Sequence, residues 1–173
     1  MKKDMQQVKT PILEEFASNL AIGDRVEITG IIFTGRDAAL PKLVALIESG
    51  GLAEAGIDLQ GAVIFHTAVS PAGVGPTSSN KFDIESTIPA LSKAGVKIHL
   101  GKGQLRSKTI EALHKNNSVY AVIPPVTALL ESRIIDRQVA AFPEEGMEAL
   151  HWLVVKDFPC IVAAAHGRSL HED

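Results

Sequence analysis

Three short segments of this chain bring together cationic side chains, hydroxyl groups and glycines. They are Thr34-Gly35-Arg36-Asp37, the run from Gly75 to Lys81, and Gly101-Lys102-Gly103. Each follows an apolar run and precedes a candidate helix, and the carboxyl ends of parallel strands meet at one edge of a sheet. Glycine lets the backbone approach a ligand closely, arginine grips a carboxylate with two N–H groups, and lysine supplies a point charge. Taken together, the segments predict a site for a small dianion, either a dicarboxylate or a phosphate.

Each segment taken singly also fits a structural role. Arg36 and Asp37 could form a surface ion pair, with Asp37 capping the next helix. The run after Gly75 could be an ordinary turn, and Lys102 could be a solvated lysine between two glycines. The recurrence of all three segments at one topological position favours a binding site.

Other common site patterns are absent from the sequence. No P-loop, dinucleotide-binding, nucleophile-elbow or zinc-protease motif occurs. We interpret most of the histidines as surface or hydrogen-bonded core residues, because they lack metal-ligand spacing: His66, His99, His114, His151, His166 and His171. Cys160 is the one cysteine, which excludes an internal disulfide and a complete iron–sulfur site within this chain. Its apolar, strand-like surroundings predict a buried structural thiol.

Strands and helices alternate through the first two thirds of the chain. Apolar patterning predicts strands over 26–34, 62–67, 96–100 and 119–123. Three helices are predicted. The first begins between 38 and 41 and ends at Gly50, the second ends at Ala94 with Gly95 as its cap, and the third covers 107–116. The remainder is typical of short strands (QVAAF, HWLVV and CIVAAA) around a short helix near 143–150. This order predicts an α/β fold with mostly parallel pairing and a mixed, strand-rich tail.

The composition is that of one ordinary globular domain. The chain has 173 residues, 46% hydrophobic and 21% charged, with a formal net charge of -3. That charge, without a long basic run, argues against nucleic-acid binding. No apolar run approaches the roughly 20 residues that span a bilayer, and the first residues lack a signal-peptide core, so we expect a cytoplasmic protein. We divide the chain into an N-terminal arm, residues 1–22, and a single mixed α/β domain, residues 23–173.

Several stretches lie in the order and spacing of a known family. They are Gly23-Asp24-Arg25-Val26, Ile28-Thr29-Gly30, Thr34-Gly35-Arg36-Asp37-Ala38-Ala39, Gly75-Pro76-Thr77-Ser78-Ser79, Gly101-Lys102-Gly103 and Lys156-Asp157-Phe158-Pro159. Together they resemble the β subunit, or C-terminal domain, of class I iron–sulfur fumarases and L(+)-tartrate dehydratases. The resemblance covers nearly the whole chain, and the ordered set is far more specific than any one motif.

The resemblance implies a swivelling β/β/α domain that works with an α subunit. That partner carries the cysteines of a [4Fe–4S] cluster, and higher oligomers of α–β pairs are expected. The implied reaction is the reversible hydration of fumarate to (S)-malate. The alternatives are dehydration of L(+)-tartrate or of another hydroxy-dicarboxylate and, from a different functional class, a non-catalytic anion-binding or assembly module.

The resemblance also implies roles for individual residues. Arg36 and Lys102 are similar to residues that bind substrate carboxylates, and Thr77 is similar to the proposed base. Ser78 takes the place of a second substrate-contacting threonine, and Lys81 that of a substrate-binding arginine.

The sequence departs from the family pattern at three positions. Lys81 replaces a bidentate arginine by a point charge, Asn80 replaces a glycine, and Leu40 stands where histidine is common.

Overall fold

The computed structural model describes residues 4–70, 73–74 and 81–170, with side chains omitted at 70, 73–74 and 81–84. The strands in this part of the chain are β1 (Gln6–Lys9), β2 (Arg25–Thr34), β3 (Val63–Phe65), β4 (Val69–Ser70), β5 (Gly73–Val74), β6 (Ile98–Gly101), β7 (Val119–Val122), β8 (Ile134–Ala141), β9 (Leu150–Ala165) and β10 (Arg168–Ser169). The helices are α1 (Glu14–Asn19), α2 (Leu40–Ser49), α3 (Lys81–Lys93), α4 (Ser107–Lys115), α5 (Thr127–Ser132) and a 3₁₀ helix (Pro143–Glu148).

Five strands form a closed ring. β2, β3, β6 and β7 lie side by side and parallel, and β9 runs antiparallel to both β7 and β2. Thr34, Phe65, Leu100 and Ala121 stand in register across the four parallel strands. β1 extends β2 in parallel, while β8 and β10 pair antiparallel with β9. The predicted mixed α/β fold is confirmed, and its strand-rich later part pairs antiparallel.

The main core fills the inside of this ring. Alternate residues of the strands point inward, as the period-two geometry of a strand requires. The rings of Phe65 and Phe158 meet there at 5.9 Å between centroids. Burial of these apolar side chains is the dominant stabilising contribution. On the outside, Leu43 of α2 and Leu91 of α3 pack with Ile64 in a second cluster that covers the parallel strands.

The predicted ends of α2 are confirmed, but its predicted cap is wrong. Pro41 lies in the first turn, and the helix ends at Gly50, whose φ of 75° is the left-handed conformation that glycine adopts readily. Ala39 occupies the N-cap position, so Asp37 does not cap this helix. Leu40 N donates a hydrogen bond to Arg36 O, so residues 36–40 form a turn that leads directly into the helix. The first N–H group of the helix is thus bonded to the backbone.

The prediction of separate strands for HWLVV and CIVAAA is wrong. They belong to the continuous strand β9, which contains a β-bulge at Asp157. Asp157 has φ of 52°, and its N–H donates to Thr29 Oγ1 at 3.0 Å. The adjacent Gly30 has φ of 123°, and a Cβ there would overlap Thr10 Oγ1. Two of the family-like stretches therefore meet at the bulge and have a structural role.

The N-terminal residues pack on the ring through β1 and α1. Glu14 at the start of α1 forms an ion pair with the buried Lys97 before β6, and Asn117 donates a hydrogen bond to the same carboxylate. The boundary at residue 22 stays a prediction. Within the described ranges, no helix has the length and apolar character needed to cross a membrane.

Candidate functional site

The segments after β2 and β6 lie at the same edge of the sheet, on either side of β3. Gly35 N donates to Phe65 O at 3.1 Å, and His66 N donates to Leu100 O at 3.0 Å. Arg36, which follows β2, therefore lies on one side of the end of β3, and Lys102, which follows β6, lies on the opposite side of β3. Crevices at the carboxyl ends of parallel strands are where ligands bind in α/β sheets.

Arg36 and Lys102 have different surroundings. Arg36 Nε donates to Glu148 Oε1 at 3.2 Å, and the Arg36 side chain is 18% exposed. The backbone of Arg36 is fixed by the packing at Gly35, where an added Cβ would lie 2.8 Å from Leu40 Cδ2. Lys102 is exposed. The edge thus holds one partly buried guanidinium and one solvated ammonium group.

The middle segment of the predicted site lies outside the described residues. This applies to Thr77 and Ser78, whose roles stay predictions, and to Asn80. Lys81 is the first residue of α3, but its side chain is not described. Leu40 is buried in the cluster between α2 and the sheet, so this departure from the family pattern serves packing.

Two histidines form a buried hydrogen-bonded chain behind the same edge. His66 Nε2 and His99 Nδ1 are 2.9 Å apart, and His99 Nε2 is 2.9 Å from Ser92 Oγ on α3. Burial lowers the pKa of His66 to about 4, and burial together with His66 lowers the pKa of His99 well below its usual value. Both rings are therefore neutral at pH 7.

Two buried polar atoms near this edge have no hydrogen-bond partner among the described residues. They are Thr34 Oγ1 at the end of β2 and His66 Nδ1 directly after β3. The interpretation of the histidines as hydrogen-bonded core residues fits His99 at both ring nitrogens, but it fits His66 at only one.

Cys160 does not fit a cluster ligand. The thiol is buried among the inward-facing side chains of the ring, which confirms the prediction of a structural thiol. Burial raises its pKa to about 12, whereas metal binding requires the thiolate. In the part of the chain that the structure describes, no group of three or more His, Cys, Asp or Glu side chains could hold a metal ion.

Glu148 was not found by sequence reasoning. It lies 112 residues from Arg36, and no local pattern links the two side chains. The same holds for Ser92 and His99, which lie on different elements and meet only because α3 packs on β6.

Comparison with known proteins shows similarity over nearly the whole chain. A protein of Geobacillus stearothermophilus, provisionally named as a class I fumarate hydratase, is 33% identical over 180 residues, covering 96% of this chain and 33% of the relative. The anaerobic class I fumarate hydratase of Escherichia coli (strain K12) is 31% identical over 170 residues, covering 94% of this chain and 30% of the relative. The β subunit of L(+)-tartrate dehydratase from the same strain is 28% identical over 174 residues, covering 93% of this chain and 84% of that subunit.

The chain spans 33% and 30% of the length of the first two relatives, so it corresponds to one part of those proteins. The family model described as Fumarase C-terminus matches residues 2–173. The segments that flank β3, with Arg36 and Lys102, are thus part of a domain that recurs in fumarate hydratases and tartrate dehydratases. This chain belongs to the Fumarase C-terminus family.

Proposed function

We propose that this chain is the β subunit of a [4Fe–4S] hydro-lyase that reversibly hydrates fumarate to (S)-malate together with an α subunit. The observation that supports this most directly is the position of Arg36 and Lys102 on either side of β3. Two cations at one sheet edge suit a substrate with two carboxylates. Two relatives named as class I fumarate hydratases are 33% and 31% identical to this chain, above the 28% of the L(+)-tartrate dehydratase β subunit.

The chemistry of the reaction explains why fixed cations are needed. A proton on the carbon next to a carboxylate is hard to remove, because negative charge builds up on that carboxylate as the proton leaves. Cations fixed at the carboxylate stabilise this charge more in the transition state than in the ground state. We assign that task to Arg36 and Lys102, with Lys81 as a further point charge.

We assign proton transfer to Thr77 and substrate positioning to Ser78. A threonine hydroxyl is a poor base by itself, so this role requires cations close to the oxygen. The assignment is based on the match of Gly75-Pro76-Thr77-Ser78 to the family pattern.

The cluster is assigned to the α subunit, because the buried thiol of Cys160 does not fit a ligand. The closed ring of β2, β3, β6, β7 and β9, with α2 and α3 packed on the parallel strands, supports the swivelling β/β/α fold. We further infer that α–β pairs assemble into a higher oligomer and that the protein works in the cytoplasm.

A second candidate substrate is L(+)-tartrate. It is favoured by the β subunit of L(+)-tartrate dehydratase, which this chain matches over 84% of that subunit's length. (S)-Malate and L(+)-tartrate differ by the second hydroxyl group of tartrate. Lys81 in place of arginine changes how a carboxylate of either substrate would be held.

The test is anaerobic co-production of this chain with its candidate α subunit, followed by assays on fumarate, (S)-malate and L(+)-tartrate. Turnover of fumarate and malate by the pair supports the proposal. Turnover of tartrate alone favours the second candidate. Stable pairing without turnover of any of the three would favour a non-catalytic anion-binding or assembly module.

A further inference from the structure

The acidic 3₁₀ helix between β8 and β9 contacts the candidate site through charged side chains. Glu148 Oε1 accepts the hydrogen bond from Arg36 Nε at 3.2 Å. Glu144 and Glu145 both pair with Lys42 of α2, at 3.1 and 2.7 Å. Two of the three acids therefore hold this helix to α2, whereas Glu148 contacts the site arginine.

The backbone that carries Glu148 is held firmly. Ala149 is buried, and its N–H donates to Gly146 O at 3.0 Å. His151 Nδ1 donates to Ala149 O at 2.9 Å, and His151 then pairs with Thr34 at the end of β2. The antiparallel pairing of β9 with β2 thus brings the residues before β9 alongside those after β2.

Among the three ion pairs made by this helix, the Arg36–Glu148 pair has the less exposed cation. The Arg36 side chain is 18% exposed and Lys42 is 41% exposed, whereas Glu148 at 33% lies between Glu145 at 29% and Glu144 at 59%. Solvent screens a partly buried pair less than an exposed one. A long arginine side chain has many rotamers, and fixing it in advance removes an entropy cost that substrate binding would otherwise carry.

We propose that Glu148 is a positioning residue that orients the Arg36 guanidinium for a substrate carboxylate, an inference that rests on the function proposed above. Glu148 acts through Arg36 and does not contact the substrate. A misplaced binding group lowers the rate even when its charge is still present, because the reacting atoms are no longer held in the productive geometry.

A double-mutant cycle in the assembled α–β enzyme tests this role. We expect Glu148→Ala to lower kcat/KM by roughly 10- to 100-fold, the range that small misplacements produce. In an Arg36→Ala background the same substitution has no further effect. Glu148→Asp, which keeps the charge, restores part of the activity. Glu145→Ala is the matched control, because it removes an ion pair from the same helix without touching Arg36 and leaves kcat/KM unchanged.

A second measurement does not depend on activity. In ¹⁵N-labelled chain, the Arg36 Nε–H signal should exchange slowly with solvent in the wild type and in Glu145→Ala, but rapidly in Glu148→Ala. An unchanged signal in Glu148→Ala overturns the proposal. So does an equal loss of kcat/KM in the presence and absence of Arg36, or an equal loss in Glu145→Ala. A wild-type pair without activity on any dicarboxylate counts against the proposed function, and the NMR comparison then decides whether Glu148 holds the guanidinium.

Discussion

Arg36 and Lys102 flank the end of β3, yet they differ in how strongly solvent screens them. Arg36 is mostly buried and hydrogen-bonded, whereas Lys102 is exposed. A charge interacts more strongly with a substrate carboxylate where less water surrounds it. The arginine is therefore the better placed of the two to stabilise charge that develops in the transition state.

Replacing either cation tests this assignment. We expect Arg36→Ala and Lys102→Ala to lower kcat/KM of the assembled enzyme, with a loss of about 100-fold for Arg36 and a smaller loss for Lys102, mainly in kcat. Lys115→Ala, at an exposed position at the end of α4, is the control and leaves both constants unchanged. A variant that raises KM while kcat stays intact would show that the residue contributes only uniform binding.

Thr77 and Ser78 are adjacent hydroxyl residues with different proposed roles. Thr77→Ala should keep its fold, its partner and the cluster content of the pair, but lose the exchange of the substrate's C3 proton with solvent deuterium. Ser78→Ala should retain exchange and bind substrate more weakly. If Thr77→Ala instead melts earlier, by the ~1 kcal/mol typical of a lost helix cap, and exchanges normally, then Thr77 is a cap and the base lies in the α subunit.

At this scale the sequence predicts residue types better than partners. Arg36 and Lys102 are recognisable because each follows an apolar strand, and strand ends converge at one edge. Glu148 carries no such signal, since its contact with Arg36 depends on how β9 pairs with β2. Asp37 was predicted to cap α2 from its type alone, but the turn from Arg36 to Leu40 shifts the N-cap to Ala39.

At the scale of elements, the interface between α3 and the sheet contains a buried polar contact. His66 of the segment after β3, His99 of β6 and Ser92 of α3 form a hydrogen-bonded chain between the two layers. Both rings are held neutral, because burial disfavours the imidazolium form. Protonation of either ring would place a charge in a dry interface.

This interface predicts a pH dependence of stability. The pKa of His66 is lowered to about 4 in the fold, so between pH 6.5 and 4 the unfolded chain binds more protons than the folded chain. The free energy of unfolding should therefore fall as the pH is lowered through this window and be insensitive to His66 above it. Urea titrations at several pH values measure this slope.

The control for that experiment is an exposed histidine. His66→Gln should reduce the slope between pH 6.5 and 4, whereas His114→Gln should retain it, since His114 is exposed on α4. Carboxylates that titrate near pH 4 contribute equally to both variants and cancel in the comparison. Equal slopes in the two variants would show that His66 does not supply this contribution.

Element prediction fails where pairing overrides local composition. The stretch Lys156-Asp157-Phe158-Pro159 interrupts the apolar pattern, so two strands are predicted where β9 is continuous. The interruption is a bulge whose extra N–H group bonds to Thr29 Oγ1, a partner 128 residues away. By contrast, the strands β2, β3, β6 and β7 were predictable because their apolar runs are short and bounded by turn residues.

At the scale of the whole molecule, the closure of the ring decides what Cys160 can do. β9 pairs with β2 along one edge and with β7 and β8 along the other, so its inward-facing residues are covered on every side. Cys160 is one of them, and burial raises its pKa to about 12. A thiol enclosed in this way acts as a core group, because nucleophilic attack and metal binding both require access to the thiolate.

This geometry predicts that the isolated chain assembles no [4Fe–4S] cluster and has no hydratase activity. Such clusters normally take several thiolates, and the chain's one cysteine is enclosed within the ring. Anaerobic reconstitution with iron and sulfide, followed by iron analysis and visible absorption, measures cluster content in the chain alone and in the α–β pair. Cys160→Ala in the pair is the matched control, and it should keep the iron content and turnover of the wild type. Two outcomes would contradict the prediction: a stable cluster with turnover in the isolated chain, or loss of the cluster from the pair on Cys160→Ala. Either outcome would mean that the Cys160 thiol leaves the core and that the cluster is wrongly assigned to the α subunit alone.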